Sequence, residues 1–186
     1  MIRRGLVVAY PTDTLYGLAV DPRNADAVKR LYALKGRAET SALTLIAEDL
    51  RQVQDAGVLT EPARRLAARW WPGPLTVVLP AGPAVTREAL AGGNTVGIRV
   101  PDHAVAIALA RACGFPITAT SANRSGMPAA TTAQAVLDAL PAVDAVVDGG
   151  AARGGPPSTL VDASMQQVAL LREGVVPWSK VLESLQ

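Results

Sequence analysis

Three polar pairs in the sequence share one spacing, in which a single residue separates two side chains that can bind a ligand. They are Thr12 with Thr14, Lys35 with Arg37, and Ser121 with Asn123. In extended backbone, residues two apart point to the same side, so each pair can direct two groups at one ligand. Cationic side chains bind phosphate oxygens, and hydroxyl and amide groups add further hydrogen bonds. The pairs together predict a site for a polyanion such as a nucleoside triphosphate.

Each pair also has a simpler interpretation. Lys35 and Arg37 follow a predicted helix, where cations interact favourably with the free carbonyl groups of the last turn. The polar residues after Tyr10 and those of the stretch Thr118–Gly126 are typical of hydrogen-bonded turns. The sequence has neither a Walker P-loop nor a Rossmann glycine fingerprint. The spacing alone therefore predicts an anion site and leaves its chemistry open.

The elements that must position these pairs alternate between strands and helices. Apolar runs predict strands at Leu6–Ala9, Leu43–Ala47, Leu75–Pro80, Thr95–Val100, Ile117–Ala119, Ala145–Val147, Thr159–Asp162 and Gln167–Leu171. Apolar spacing and end signals predict helices at Asn24–Leu34, Pro62–Trp70, Ala104–Ala112 and Thr132–Leu140. The last two strands are close enough in sequence to form a hairpin. The pattern predicts one α/β domain over residues 1–186 with a mixed sheet, and a flexible glycine-rich loop at Asp148–Ser158.

The composition limits the ligands and compartments that suit the chain. Aromatic residues make up 4%, and 18 basic residues against 16 acidic ones give a net charge of +2, which disfavours a stacking or strongly basic nucleic-acid surface. No Cys/His cluster has metal-ligand spacing, so no protein metal site is predicted. Cys113 is predicted to lie in the core, and His103 at the start of a helix. Without a recognisable signal peptide or membrane-length apolar run, we expect a cytoplasmic protein.

Seven motifs, in order, resemble those of the YrdC-type family of threonylcarbamoyl-AMP synthases. They are YPTDTLYGLAVD, LYALKGR, WPGPLTVVLPA, TVGIRVPDH, TSANRSGMPAATT, STLVD and LREG, and they extend from about Gly5 to Gly174. The resemblance implies a twisted mixed sheet flanked by helices, with a large concave substrate cavity. It implies that L-threonine, bicarbonate and ATP are converted to threonylcarbamoyl-AMP and pyrophosphate, and that a separate transferase complex moves the threonylcarbamoyl group onto tRNA.

The resemblance also implies roles for individual residues. The catalytic set that it implies is Lys35, Arg37, Ser121 and Asn123. The implied ATP contacts are Lys35, Arg37, Ser41, Thr95, Ser121, Ala129 and Arg172, and the implied threonine contacts are Thr14, Arg99, Ala119 and Ser158. At the two alanines the binding groups would belong to the backbone. Mg²⁺ is expected to bind mainly through the ATP phosphates.

The implied chemistry suits these side chains. The threonine amine becomes a carbamate, and a carbamate oxygen then attacks the α-phosphate of ATP. Such a step needs positioning and charge neutralisation more than it needs a nucleophilic side chain. Arg99 is the expected partner of the threonine carboxylate, because a guanidinium pairs with a carboxylate through two hydrogen bonds.

The sequence departs from the family pattern at several places. Ile46 stands where some members carry a histidine that contacts threonine, and Ala38 follows Arg37 where many members have proline. Members commonly have a helix before the first strand, whereas this sequence begins almost at that strand, which leaves two readings open: a short form, or a start codon chosen too late. Nothing after LREG resembles the additional C-terminal domain of long-form members, so we expect the short form. Two alternatives stay open: an RNA-binding or ribosome-associated module, with possible weak tRNA binding, and a paralogue with another carbamoyl-type reaction or none.

Overall fold

Two hydrogen-bonded sheets form the centre of the protein. The structure is a computed structural model, and it describes residues 1–38 and 40–186. In these residues the four-stranded sheet has the order β7-β2-β1-β8 and the six-stranded sheet the order β10-β9-β4-β5-β3-β6. The strands are β1 (Val8–Pro11), β2 (Tyr16–Ala19), β3 (Thr44–Ile46), β4 (Leu75–Pro80), β5 (Thr95–Arg99), β6 (Ile117–Thr118), β7 (Thr120–Ser121), β8 (Ala145–Val146), β9 (Thr159–Asp162) and β10 (Ala169–Arg172).

Both sheets are mixed, as the sequence predicted. In the smaller sheet, β1 is antiparallel to β2 and parallel to β8. In the larger sheet, β4 is antiparallel to β5 and parallel to β9, while β9 and β10 form the predicted antiparallel hairpin. The mixed α/β architecture with helices flanking twisted sheets is therefore confirmed.

The two sheets are joined where β6 continues into β7. Thr118 donates its N–H to the carbonyl of Val20 at 3.2 Å, and its hydroxyl donates to the carbonyl of Leu18 at 3.0 Å. The same hydroxyl accepts the N–H of Val20 at 2.9 Å. The next residue, Ala119, donates its N–H to the carbonyl of Thr44 in the other sheet at 2.8 Å. One short segment thus bonds to both sheets, and Thr118 is fully buried within this junction.

Helices flank the sheets, and the first of them leads into the segment that contains Lys35 and Arg37. They are α1 (Ala25–Lys35), α2 (Leu50–Ala56), α3 (Glu61–Trp70), α4 (Ala104–Cys113), α5 (Ala133–Ala139) and α6 (Trp178–Glu183), preceded by a 3₁₀ helix at Ile2–Arg4. The Asn24 side chain caps α1 by accepting two backbone N–H groups, and Gly36 ends it in the left-handed region at φ 57°. The chain therefore turns sharply between Lys35 and Arg37. No helix in the described part of the chain is both long and apolar enough to cross a bilayer.

Several elements differ from the sequence predictions. The strand β2, the two-residue strand β7 and the helices α2 and α6 were not predicted. The strand β2 forms a hairpin with β1, but it contains Gly17, a residue that is disfavoured inside strands and weakens the local signal. The strand β1 ends two residues later than predicted, at Pro11, where a missing N–H is tolerated at a strand end. The single sheet that was expected is divided into two.

Candidate functional site

A cavity of about 450 Å³ lies where the loops at the ends of both sheets converge. This volume is typical of small-molecule sites. Its walls come from the loop between β1 and β2, the segment after α1, the junction of β6 and β7, and the strands β9 and β10. The residues that line it are Thr12, Thr14, Leu15, Tyr16, Gly17, Arg37, Ala42, Thr44, Arg99, Ala119, Thr120, Ser121, Asn123, Met127, Ala129, Pro157, Ser158, Leu160 and Arg172.

The loop between β1 and β2 is held by its own hydroxyl groups. The Thr12 hydroxyl donates to the carbonyl of Leu15 at 2.7 Å and lies 3.2 Å from the hydroxyl of Thr14. Its oxygen also accepts the backbone N–H groups of Thr14 and Leu15, at 3.3 Å each. These bonds fix a tight turn after Pro11, and both threonines line the cavity. The pair Thr12 and Thr14 is therefore both a hydrogen-bonded turn and part of the cavity wall.

The basic pair after α1 is divided between the protein interior and the cavity. Arg37 lines the cavity, donating to the Thr120 hydroxyl at 2.9 Å and to the Ala42 carbonyl at 3.3 Å. Lys35 does not line the cavity; it is 3% exposed, and its Nζ donates to oxygens of Ser121 and Asn123. Burial, and then the positive charge of Arg37, lower the pKa of Lys35 to about 8.

The loop after β7 presents a hydroxyl and an amide to the cavity. The Ser121 hydroxyl donates to Oδ1 of Asn123 at 2.6 Å, and Nδ2 of Asn123 donates to the carbonyl of Met127. The backbone of this loop is also tied to β2, because Ala122 donates its N–H to the Tyr16 carbonyl at 2.8 Å. The polar groups of this loop are therefore held in place by hydrogen bonds within the protein.

Arg99 lines the cavity and pairs with a buried carboxylate. Its Nη1 donates to Oδ1 of Asp13 at 2.6 Å, and both side chains are 8% exposed. Among the described ion pairs, this is the most buried, and the others lie at the surface with at least one largely solvent-exposed partner. Asp13 and Arg99 are 86 residues apart in the sequence, so the spacing of motifs could not predict their ion pair. Asp13 is therefore a site residue that the sequence analysis did not assign.

Ser158 and Arg172 enter the cavity from the hairpin of β9 and β10. A β-bulge places Arg172, instead of Leu171, opposite Leu160, and cross-strand partners share one face of a sheet. The bulge thus turns Arg172 to the cavity face, where it donates to the carbonyl of Ser158 at 2.9 Å. Partial desolvation of the guanidinium, and then repulsion by Arg99, lower the pKa of Arg172. The Ser158 hydroxyl is hydrogen-bonded to that of Thr76 at 2.8 Å.

The glycine-rich stretch Asp148–Ser158 is anchored against the cavity. Tyr16 donates its hydroxyl to the carbonyl of Gly150 at 2.7 Å, and Gly154 donates its N–H to the carbonyl of Thr14 at 2.9 Å. Pro157 and Ser158 form part of the cavity wall. The stretch is a loop, as predicted, and its backbone covers one side of the site.

The predicted site residues fall into two groups. Nine of them line the cavity: Thr14, Arg37, Arg99, Ala119, Ser121, Asn123, Ala129, Ser158 and Arg172. Lys35 lies beneath the wall, and Ser41 is exposed outside it. Thr95 lies on the cavity face of β5 but four residues before Arg99, about 13 Å along the strand, and does not line the cavity. Ile46 is fully buried in an apolar cluster with Tyr10 and Ile117 and does not reach it either.

The electrostatics of the site favour an anionic ligand. Three arginines line the cavity, namely Arg37, Arg99 and Arg172, and the Lys35 ammonium lies behind its wall. In the described part of the chain, Asp13 is the one carboxylate that forms an ion pair with these cations. No group of three or more His, Cys, Asp or Glu side chains among the described residues could hold a metal ion. The cavity is therefore complementary to phosphates and carboxylates.

The chain is similar to known proteins of one family. A family described as "Sua5_yciO_yrdC: Telomere recombination" matches residues 1–174. The chain is 42% identical over 177 residues to a Bacillus subtilis protein named "Threonylcarbamoyl-AMP synthase", covering 94% of this chain and 51% of that protein. It is 42% identical over 168 residues to a Thiobacillus denitrificans protein of the same name, covering 90% of this chain and 89% of that one.

A solved structure shares the fold. It is described as "Crystal structure of P. abyssi Sua5 complexed with L-threonine" and superposes with a TM-score of 0.94 at 37% identity, over 98% of this chain and 54% of that one. The chain thus spans about half the length of the Bacillus and P. abyssi proteins. The family match over most of the chain, together with these similarities, shows that the chain belongs to the Sua5/YciO/YrdC family.

Proposed function

We propose that the protein is an L-threonylcarbamoyladenylate synthase. It would make threonylcarbamoyl-AMP and pyrophosphate from L-threonine, bicarbonate and ATP. The observation that carries this proposal is a cavity with three arginines, several hydroxyl groups and the Asn123 amide at its wall. The names of the relatives and the threonine complex of the P. abyssi protein support the same reaction, and nothing in them favours an RNA-binding module.

Threonine would bind at the end of the cavity formed by Arg99. The part of the Arg99 guanidinium that does not face Asp13 can pair with the substrate carboxylate, since a guanidinium has five N–H donors. Thr14 and Ser158 can supply hydroxyl groups, and Ala119 can supply a backbone group. The carbamate forms when the threonine nitrogen bonds to the bicarbonate carbon, with loss of water.

ATP would place its phosphates against Arg37, Arg172 and the Ser121–Asn123 loop, with backbone at Ala129. It would enter as its Mg²⁺ complex, with the ion bound through phosphate oxygens, and the ion would neutralise phosphate charge. A carbamate oxygen then bonds to the α-phosphorus, and the bond between the α-phosphorus and the oxygen that bridges it to the β-phosphorus breaks. Pyrophosphate leaves with that bridging oxygen. Arg37 would stabilise the departing pyrophosphate, as expected for a step that depends on positioning and electrostatics.

The wider setting of the reaction is part of the proposal. The product would be a reactive mixed anhydride that a following transfer step consumes; the resemblance implies that a transferase complex acting on tRNA performs this step and that the protein is cytoplasmic. We take residues 1–186 as one YrdC-like domain, because both sheets share the Ile117–Ser121 segment. Direct tRNA or RNA binding by this domain is not needed for the chemistry.

Pyrophosphate release tests the proposal. It is measured with ATP, threonine and bicarbonate, with each omitted in turn, for the wild type, Arg37→Ala and Arg51→Ala. Arg51 is an exposed residue of α2 with no described ion pair or side-chain hydrogen bond, which makes it a matched control. We expect release only with all three substrates, loss in Arg37→Ala and no change in Arg51→Ala. Folded wild-type protein that releases no pyrophosphate would overturn the proposal.

A further inference from the structure

Lys35 makes its contacts with the protein and not with the cavity. Its Nζ donates to the carbonyl of Ser121, to the carbonyl of Asn123 at 2.9 Å and to Oδ1 of Asn123 at 3.0 Å. Its own carbonyl accepts the N–H of Ser125 at 2.9 Å. Side chain and backbone of one residue at the end of α1 therefore hold the loop from Ser121 to Ser125.

These contacts use the whole hydrogen-bonding capacity of the ammonium group. A lysine ammonium has three N–H donors, and three oxygens accept from Nζ here. The side chain is also 3% exposed. A direct bond from Lys35 to a phosphate would require that it release an oxygen of the loop. Arg37, by contrast, lines the cavity.

The contact with Asn123 links Lys35 to the groups that do face the cavity. Oδ1 of Asn123 accepts from Lys35 and from the Ser121 hydroxyl, the latter at 2.6 Å, so the amide can take only one orientation. In that orientation Nδ2 donates to the Met127 carbonyl. Without Lys35, the two carbonyls and Oδ1 would lose a buried donor, and the loop would lose its fixed geometry.

We infer that Lys35 is a positioning residue that acts through the Ser121–Ser125 loop, while Arg37 is the member of the basic pair that contacts the nucleotide phosphates. The inference rests on the proposed function for its ligand, although the contacts of Lys35 do not depend on it. The inference gives Lys35 and Arg37 different roles, although the spacing of the motif gives both the same role.

The positive charge of Lys35 would also attract an anion in the cavity without direct contact. The charged group beside it is Arg37, and the loop supplies neutral oxygens, so in the described structure no carboxylate pairs with Nζ. A polyanion in the cavity would favour the charged form and raise the pKa of Lys35 above about 8. Polyanion affinity should therefore fall as pH rises above about 8, and this fall should disappear when Lys35 cannot titrate.

The test compares Lys35→Met and Lys35→Gln with Arg37→Met and with the control Lys29→Met. Lys29 lies on the same helix, 52% exposed. Amide hydrogen exchange over residues 121–125 is measured on ligand-free protein, and inorganic pyrophosphate binding is measured by calorimetry from pH 7 to 9.5. We expect roughly tenfold faster exchange in the Lys35 variants and no change in Lys29→Met or Arg37→Met. Lys35→Gln keeps a donor and the polar character of the site, so it serves if Lys35→Met does not fold.

For pyrophosphate, we expect Arg37→Met to lose most of the affinity at every pH. Because pyrophosphate itself loses a proton in this pH range, each affinity is compared between proteins at the same pH, and the ratio of wild-type affinity to that of the Lys35 variants should fall above pH 8. Unchanged exchange in both Lys35 variants would overturn the inference. If those variants also lost as much pyrophosphate affinity as Arg37→Met, Lys35 would instead be a direct phosphate ligand. The exchange measurement is independent of catalysis, so a wild type without synthase activity would contradict the proposed function and leave the role of Lys35 still tested.

Discussion

The buried ion pair between Asp13 and Arg99 gives a prediction whose size follows from the structure. Asp13→Asn keeps the shape and the acceptor oxygen but removes the negative charge beside a guanidinium that is 8% exposed. At about 4 Å between charge centres and an effective dielectric constant of about 20, the attraction is about 4 kcal/mol. Part of this is offset, because the substitution also removes the cost of burying the carboxylate.

We therefore expect Asp13→Asn to lower the free energy of unfolding by about 2–3 kcal/mol. For a domain of this size, about 2–4 °C per kcal/mol, the melting temperature should fall by roughly 4–12 °C. Urea denaturation followed by circular dichroism measures the loss. Asp102→Asn is the matched control, because Asp102 is exposed and forms no described ion pair. The control should change stability by less than about 0.5 kcal/mol.

A double variant separates the pair from its members. Removing both charges, in Asp13→Asn with Arg99→Met, should cost less than the sum of the single changes, because neither charge is then left buried without a partner. Under the proposed function, Asp13→Asn should also raise the KM for threonine more than that for ATP, since Arg99 would lose its fixed orientation. Additive losses, or a single loss no larger than that of Asp102→Asn, would refute the reasoning.

Three further predictions concern other parts of the protein. Thr159→Val removes a buried hydroxyl that donates to the carbonyl of Val176 at 2.6 Å and accepts two backbone N–H groups, at 2.9 and 3.0 Å. Urea denaturation should show that the free energy of unfolding falls by about 3 kcal/mol. A loss below about 1 kcal/mol would be inconsistent with these bonds. Burial raises the pKa of the Cys113 thiol, so alkylation at pH 8 should be far slower in folded than in urea-unfolded protein, and equal rates would argue against the buried position. The pKa of Lys35 is about 8 in the folded protein, against a reference value of 10.5, so the unfolded state binds more protons between these pH values. Lys35 should therefore make the free energy of unfolding rise with pH in this range. A wild-type dependence of that free energy on pH equal to the dependence in Lys35→Met would contradict this.

Local sequence patterns predicted most of the regular elements. The helix α1 was predictable because Asn24 caps its start and Gly36 ends it, and the strands β4 and β9 were predicted with their observed ends. In each case the signal lies within the element. The strand β2 was missed although it pairs locally with β1, because Gly17 weakens its strand signal. The division into two sheets was not predictable, because it depends on pairing between distant segments such as Gly17 and Ser121.

The candidate site shows the same limit. The residue types and spacing indicated an anion site, and nine of the residues assigned from the resemblance line one cavity. The spacing could not show that Lys35 points into the protein while Arg37 faces the cavity, because the turn at Gly36 sends the two side chains to different places. Nor could it show the ion pair of Asp13 with Arg99, which joins distant segments, or the bulge that turns Arg172 to the cavity face, which depends on the register of the β9–β10 hairpin.

The junction between the sheets has a consequence for how ligands enter and leave. The buried Thr118 hydroxyl donates to one backbone group of the neighbouring strand region and accepts from another, while Ala119 is bonded to the second sheet. Separating the sheets would break these bonds in the protein interior, where no water replaces them. The floor of the cavity should therefore stay rigid while ligands bind and leave. Under the proposed function, substrates and product would have to exchange through the mouth of the cavity, beside the Asp148–Ser158 loop, and not through a gap opened between the sheets.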